Sequence, residues 1–282
     1  NKLTAGISDG KLDALHIEIS AGSLVKRPDL NFPKDWWVKD IEGKEGVTSG
    51  AWTTEGAEHW YSVNNRKLTF YENKKLNSVV PVGALRQIGN GYVAFALESF
   101  IDELANKLKK DPLDFRLSLL NNKNNEISTP WIDIDNILLR GGQPTKRKRD
   151  EGGALRLKNV LLSVTGKAGY SLKKKEKNEG IGIAVAAQYA RKSPSFNACV
   201  AEVYVNPENG KVKVKKLTYA IDCGTVINKD GAVAQIEGAG LFALSVALYE
   251  ELKFENGAFI QQNFDEYKML KLKDIPEIDI EL

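Results

Sequence analysis

Apolar and polar positions alternate with a period of two near the N-terminus of this chain. Asn1 to Ser8 runs through Asp9-Gly10, a turn dipeptide, into Leu12 to Ile19, where Leu15, Ile17 and Ile19 alternate with polar neighbours. This pattern predicts a β-hairpin. Arg27 to Gly50, with Pro28, Pro33 and the Trp36-Trp37 pair, reads as a long irregular excursion of the kind that often carries function, and Leu68 to Tyr71 as a short strand. From Ala94 the period lengthens. Leu97, Phe100, Ile101, Leu104 and Leu108 recur at three and four residues, one face of an amphipathic helix. Asp111-Pro112-Leu113-Asp114 then supplies an N-cap, a proline at the first helical position and an acid in the first turn, so a second helix is expected to about Leu120.

Asn121 to Gly153 is polar, Asn-rich and carries the basic run Lys146-Arg147-Lys148-Arg149. It reads as a connection between two lobes, residues 1–145 and 146–282. Beyond it the pattern predicts a helix over Leu155 to Thr165 and a charged loop at Lys173 to Lys177. Three strands, Ile181 to Tyr189, Ala198 to Val205 and Val212 to Ile221, are expected to form an antiparallel meander. A helix from about Gly231 to Tyr249, two strands around Glu255-Asn256-Gly257 and an alternating segment Ile275 to Leu282 complete the chain. Strand groups alternating with helix groups predict an α+β fold, two-layer mixed or antiparallel sheets with packed helices. No repeat of solenoid period is present.

Composition narrows the function. In 282 residues, 40 Lys and Arg against 37 Asp and Glu leave a formal charge of +3. This is too little basic excess for phosphate neutralisation, so nucleic acid is not an expected partner. No unbroken apolar run reaches the length of a membrane span, and the longest candidate, Gly238 to Tyr249, ends at Glu250-Glu251. Cys199, Cys223, His16 and His59 lie far apart without ligand spacing, so no structural zinc or iron–sulfur cluster is expected from them. The first residue is Asn1 and the one methionine is Met269, so the chain is expected to be a processed product or a piece of a longer polypeptide.

Several features read first as structure. His16 and His59 have the positions of packing or surface histidines, the basic runs of solvated loops, and Trp36, Trp37, Trp52, Trp60 and Tyr61 of core bulk more than of an aromatic pocket. The P-loop, the dinucleotide fingerprint and the serine nucleophile elbow are absent from the sequence. Two stretches invite more. In Ala84 to Gly91 an arginine, Arg86, precedes a glycine-punctuated turn that leads into a helix, an arrangement able to offer a guanidinium and backbone N–H groups to an oxyanion. In Ile221 to Gly240 a strand ends at Asp222-Cys223-Gly224 and enters a helix lined with small residues, which permits close approach of a cofactor or of another helix.

These stretches resemble the large subunits of the xanthine dehydrogenase and aldehyde oxidase family. Arg86-Gln87-Ile88-Gly89 with Ala94 to Ala105, continued by Asp111 to Arg116, is similar to the family's arginine–glycine turn and following helix. Asp222-Cys223-Gly224, Gln235-Ile236-Glu237-Gly238-Ala239 and Gln262-Asn263-Phe264 most resemble the isoquinoline 1-oxidoreductase beta-subunit branch. The resemblance covers most of Val79 to Leu282. It implies a molybdopterin-binding domain type and molybdenum-dependent hydroxylation of an aldehyde or N-heterocycle, with water as the oxygen source. The implied cofactor is molybdopterin, in the cytosine dinucleotide form, with molybdenum, and the implied electron acceptor is an iron–sulfur subunit or a cytochrome. By motif position Arg86 would face the substrate and Gln235 would hydrogen-bond the pterin or the molybdenum ligands. Gly89, Gly224 and Gly238 would keep backbone close to the cofactor or permit the turns, and no residue here would ligate the metal. Gln87 and Lys229 depart from the residues usual at those positions. The family's Gly-Gly-Phe-Gly segment and its glycine-flanked base glutamate are not in this sequence, so the chain is expected to be an internal piece that neither binds cofactor nor turns over substrate alone. Rival expectations are a non-catalytic scaffold that keeps the fold and a small-molecule binding module built on Trp36 to Tyr61. The resemblance allows either the periplasm, where relatives of this branch are often found, or the cytoplasm.

Overall fold

The computed structural model describes residues 1–22, 53–54, 56–57, 59–79, 83, 85–121, 153–172, 176–190 and 193–282. The excursion Arg27 to Gly50, the basic run at Lys146 and most of the connection after Asn121 lie outside them, as does the division expected between 145 and 146. The chain forms two compact units. The first comprises Asn1–Lys158 with Val185–Pro194, and the second Asn159–Ala184 with Ser195–Leu282.

In the first unit β1 (Lys2–Ser8) and β2 (Lys11–Ala21) form the expected hairpin, turning at Asp9 and Gly10 with φ of 49° and 68°, the doubly left-handed turn that matches strand twist. Strict alternation would put Leu12 on the opposite face from Leu15. The register shift beside Gly6 leaves Asp13 as an extra residue in β2, so Leu12, Leu15, Ile17 and Ile19 are all buried. Asp13 is held outside by Asn64 at 2.7 Å and Asn65 at 3.2 Å. β3 (Asn65–Glu72) adds to β2 in parallel, Ala14 opposite Asn65 through Ala21 opposite Glu72, because the chain leaves β2 at its Ala21 end and re-enters the sheet at the other end, beside Ala14.

Helix α1 (Lys74–Val79) follows, then α2 (Gly89–Lys107) and α3 (Pro112–Leu119). α2 begins five residues before Ala94, since Gly89-Asn90-Gly91 are weak helix formers that packing overrides. Its buried face, Val93, Leu97, Ile101, Leu104 and Ala105, packs toward α3 and β1. Asp111 caps α3, accepting from the N–H groups of Leu113 at 2.8 Å and Asp114 at 3.2 Å.

The second unit is built on a four-stranded sheet in the order β4 (Glu179–Ala190), β5 (Ser193–Val205), β6 (Val212–Asp222), β9 (Glu277–Glu281). β5 and β6 are antiparallel, as the meander requires, while the final alternating segment returns as β9 parallel to β6. Both larger sheets thus combine an antiparallel pair with a parallel edge strand, the mixed α+β architecture the sequence predicts. α4 (Gly153–Ala168) and α5 (Lys229–Leu248) are the long helices, and β7 (Phe254–Glu255) with β8 (Ala258–Phe259) closes a short hairpin at Asn256-Gly257. By length and composition α5 is apolar enough to cross a membrane. It starts at Lys229-Asp230, carries Glu237 and lies on the sheet with Gly240 and Leu244 buried, the placement of a sheet-packed helix.

Candidate functional site

Arg86 lies in a turn whose backbone is forced. Gln87 and Ile88 take φ of 74° and 38°, the left-handed region that a β-branched residue such as isoleucine rarely enters. Each such residue costs on the order of 1–3 kcal/mol and persists only where its surroundings dictate it. Two short backbone bonds define the turn, Ile88 N–H to Leu85 O at 2.9 Å and Asn90 N–H to Gln87 O at 2.8 Å. Arg86 is exposed and, among the described residues, makes no hydrogen bond or ion pair. Gly89 is buried at the first position of α2, and Ile88 supplies no side-chain cap. α3 and α5, by contrast, are capped by Asp111 and Asn228. The turn therefore presents an unpaired guanidinium beside uncapped helix N–H groups, a combination that favours an anionic or developing negative oxygen.

Nine residues along α2 lies a buried charge network that sequence reasoning did not single out. Glu98 accepts from the Tyr61 hydroxyl at 2.8 Å, Arg116 Nε at 2.9 Å and the Val185 N–H at 3.0 Å. Arg116, wholly buried, also donates to Asp102 at 2.5 Å and to the carbonyls of Pro112 and Glu98. Burial pushes the Glu98 carboxyl up, while Arg116 and the surrounding donors oppose that rise. Arg116, facing two carboxylates, stays charged. The one signal available in the sequence was an acid at position 98, beside Leu97 on the face that must pack. His59, Trp60 and Tyr61 are buried in the same unit. Arg66 donates to the carbonyls of His59, Tyr61 and Val63, and burial together with the Arg66 charge lowers the His59 imidazole to about 3. His59 is thus a neutral packing histidine. Trp60 lies against Gly153, where a Cβ would collide with the indole. Of the aromatic pocket candidates, Trp36, Trp37 and Trp52 fall outside the described residues.

In the second unit β6 ends at Asp222, whose carboxylate accepts the Gly224 N–H at 3.2 Å, and Gly224 turns the chain at φ 81°. Asn228 caps α5 through the Gly231 N–H at 2.9 Å. One turn into the helix Gln235 and Gly238 are exposed at a spacing of three residues and so share a face. The Gln235 amide makes no hydrogen bond among the described residues. A Cβ on Gly238 would meet nothing within 4 Å, whereas one on Gly240 would come 2.7 Å from the Tyr219 hydroxyl. Gly240 is therefore glycine so that α5 can lie on Tyr219. Gly238 has no such internal reason, although glycine in a helix interior costs roughly 0.5–1 kcal/mol. Cys199, hydrogen-bonded with Tyr219, is pushed up to about 12 by burial and is an inert thiol. Both cysteines are free, and among the described residues no group of His, Cys, Asp and Glu could hold a metal ion. Arg86 and Gly89 share the first unit; Gly224, Gln235 and Gly238 share the second.

Two compact α+β units carrying these segments are the architecture of known oxidoreductases. Quinoline 2-oxidoreductase from Pseudomonas putida 86 superposes with a TM-score of 0.66 at 12% identity, covering 96% of this chain and 53% of that one. Reconstituted CO dehydrogenase from Oligotropha carboxidovorans gives 0.62 at 12%, covering 97% and 52%. At such identities the shared feature is the fold. Residues 148–276 match the family described as a molybdopterin cofactor-binding domain. The chain is 33% identical over 240 residues to a protein named membrane-bound aldehyde dehydrogenase (pyrroloquinoline-quinone) of Gluconacetobacter polyoxogenes, and 30% identical over 203 residues to isoquinoline 1-oxidoreductase subunit beta of Brevundimonas diminuta. These alignments take in 85% and 72% of this chain and 29% and 22% of those relatives, so the chain spans less than a third of the curated relatives it matches. Residues 148–276 thus carry the molybdopterin cofactor-binding domain, and most of the chain is similar to part of the molybdopterin-binding polypeptides of the xanthine dehydrogenase family.

Proposed function

We propose that this chain contributes cofactor- and substrate-facing residues to a molybdenum-dependent hydroxylase acting on an aldehyde or a nitrogen heterocycle. The observation that carries this reading is the molybdopterin-domain match over 148–276, which contains Gly224, Gln235 and Gly238. The residues fit such a group. The free amide of Gln235 can both donate and accept toward a pterin or the metal's ligands, and the open face at Gly238 admits a flat molecule to the backbone. Gly224 makes the turn that starts this helix, and Gly89 starts the other.

When bound, molybdopterin with molybdenum, here in the cytosine dinucleotide form on the resemblance to the isoquinoline branch, supplies the two-electron chemistry and the transfer of a water-derived oxygen. The exposed Arg86 guanidinium would stabilise negative charge that develops on the substrate, an effect worth roughly 10²–10³ in kcat for a well-placed donor. Electrons would pass to an iron–sulfur subunit or a cytochrome, since the two cysteines here lack cluster spacing.

The test is metal content. Full-length protein from its native host should carry near-stoichiometric molybdenum by elemental mass spectrometry, lost in Gln235→Ala and retained in Arg86→Ala. Pyrroloquinoline quinone should be quantified in the same preparation, because the name of the Gluconacetobacter relative includes it. Quinone without molybdenum would replace the proposed cofactor. Neither group, from cells whose other molybdenum enzymes are loaded, would favour the non-catalytic scaffold.

A further inference from the structure

We propose that Glu98 is a positioning residue for the Arg86 turn, an inference that rests on the reading of Arg86 as substrate-facing. The turn cannot hold itself: Gln87 and Ile88 are in the left-handed region, and among the described residues two local backbone bonds close it. It is covalently continuous with α2, so its placement is that of the helix. The apolar face of α2, from Val93 to Ala105, gives burial but little axial register, because apolar contact is non-directional. Glu98 supplies the direction. Its two oxygens are gripped from the 59–63 segment through Tyr61, from α3 through Arg116 and from β4 through the Val185 N–H. Three short bonds to one buried carboxylate fix both the rotation and the rise of α2. At 1.5 Å per residue the turn sits roughly 13 Å up a stiff helix from that point. The near end of α2 has contacts of its own, from the Tyr92 hydroxyl to the Thr53 carbonyl and from Asn1 to the Tyr92 carbonyl, but Tyr92 is partly solvent-exposed.

The experiment uses the full-length protein and the double variant Glu98→Leu with Arg116→Met, which removes both buried charges together and so should keep the fold. Amide hydrogen exchange over residues 85–91 is read beside thermal midpoint and steady-state kinetics. The proposal expects about tenfold faster exchange at Ile88 and Asn90 with the midpoint little changed. In the same variant kcat should fall while KM stays near its original value and molybdenum content is retained. Exchange at wild-type rates overturns it. So does acceleration in Tyr92→Phe larger than in the double variant, which would put the anchor at the near end of α2. If the double variant does not fold, Glu98→Asp, which keeps the charge but shortens its reach, should still loosen the turn, and unchanged exchange there is equally fatal. Because exchange reads the turn without turnover, an Arg86→Ala protein of full activity would overturn the functional reading while leaving the positioning result intact.

Discussion

The Arg86 turn and the Gln235 helix are braced by different physics. Behind the turn, α2 is held by a carboxylate with three donors, a wholly buried arginine and a second carboxylate, Asp102. Under Gln235, α5 is held mainly by shape, with Gly240 against Tyr219 and Leu244 and Ser245 buried beside it, and by a neutral hydrogen bond from the Leu270 N–H to Ser245 Oγ at 3.0 Å. The first arrangement is directional and intolerant of a lost partner. The second is local, and it leaves most of an apolar helix facing outward, with Phe242, Val246 and Leu248 all substantially exposed. A helix apolar on every side is ordinarily covered.

The largest effect should come from unpairing the network. Arg116→Met leaves Glu98 buried without its cation and should cost about 3–5 kcal/mol in chemical denaturation, most of it recovered when Glu98→Leu is added. If the two single costs simply add, the pair is not coupled as the geometry requires. Next is the acid limb. The unfolded chain protonates His59 below about 6.5, whereas the folded chain holds it neutral to about 3. Its contribution to stability is therefore full above pH 6.5 and falls as pH drops through that window, by about 1.4 kcal/mol per unit. His59→Phe should flatten this limb in urea titrations between pH 4 and 7, and an unchanged slope would assign the acid sensitivity elsewhere.

Glycine substitutions sharpen the contrast within α5. Gly240→Ala drives a methyl into Tyr219 and should cost about 1–3 kcal/mol. Gly238→Ala points into open space and should stabilise the chain by roughly 0.5–1 kcal/mol, yet lower molybdenum retention in the full-length protein. Equal effects at the two positions would mean that neither glycine has a special neighbour. Smallest of all, Arg86→Ala and Gln235→Ala should change stability by less than about 0.5 kcal/mol, as exposed side chains without partners do, while their functional losses differ as described above.

Local rules carried the reading of the hairpin at Asp9-Gly10, the Asp111-Pro112 start of α3, the strand from Val212 and the α5 helix, because each depends on residues a few positions apart. The two turns were legible for the same reason, as a glycine pattern next to a helix. The sequence could not reveal the parallel additions of β3 to β2 and of β9 to β6, since distant segments compete for a sheet edge and only the packed chain selects the winner. Nor could it show that Asp13 is a bulge, that α2 starts at Gly89 against its own propensities, or which of the glycines 238 and 240 a neighbour demands. Glu98 and Arg116 stand eighteen residues apart on two helices, and no local pattern pairs them. What joins them is burial, which makes an ion pair strong and an unpaired charge costly, and burial is a property of the tertiary structure alone.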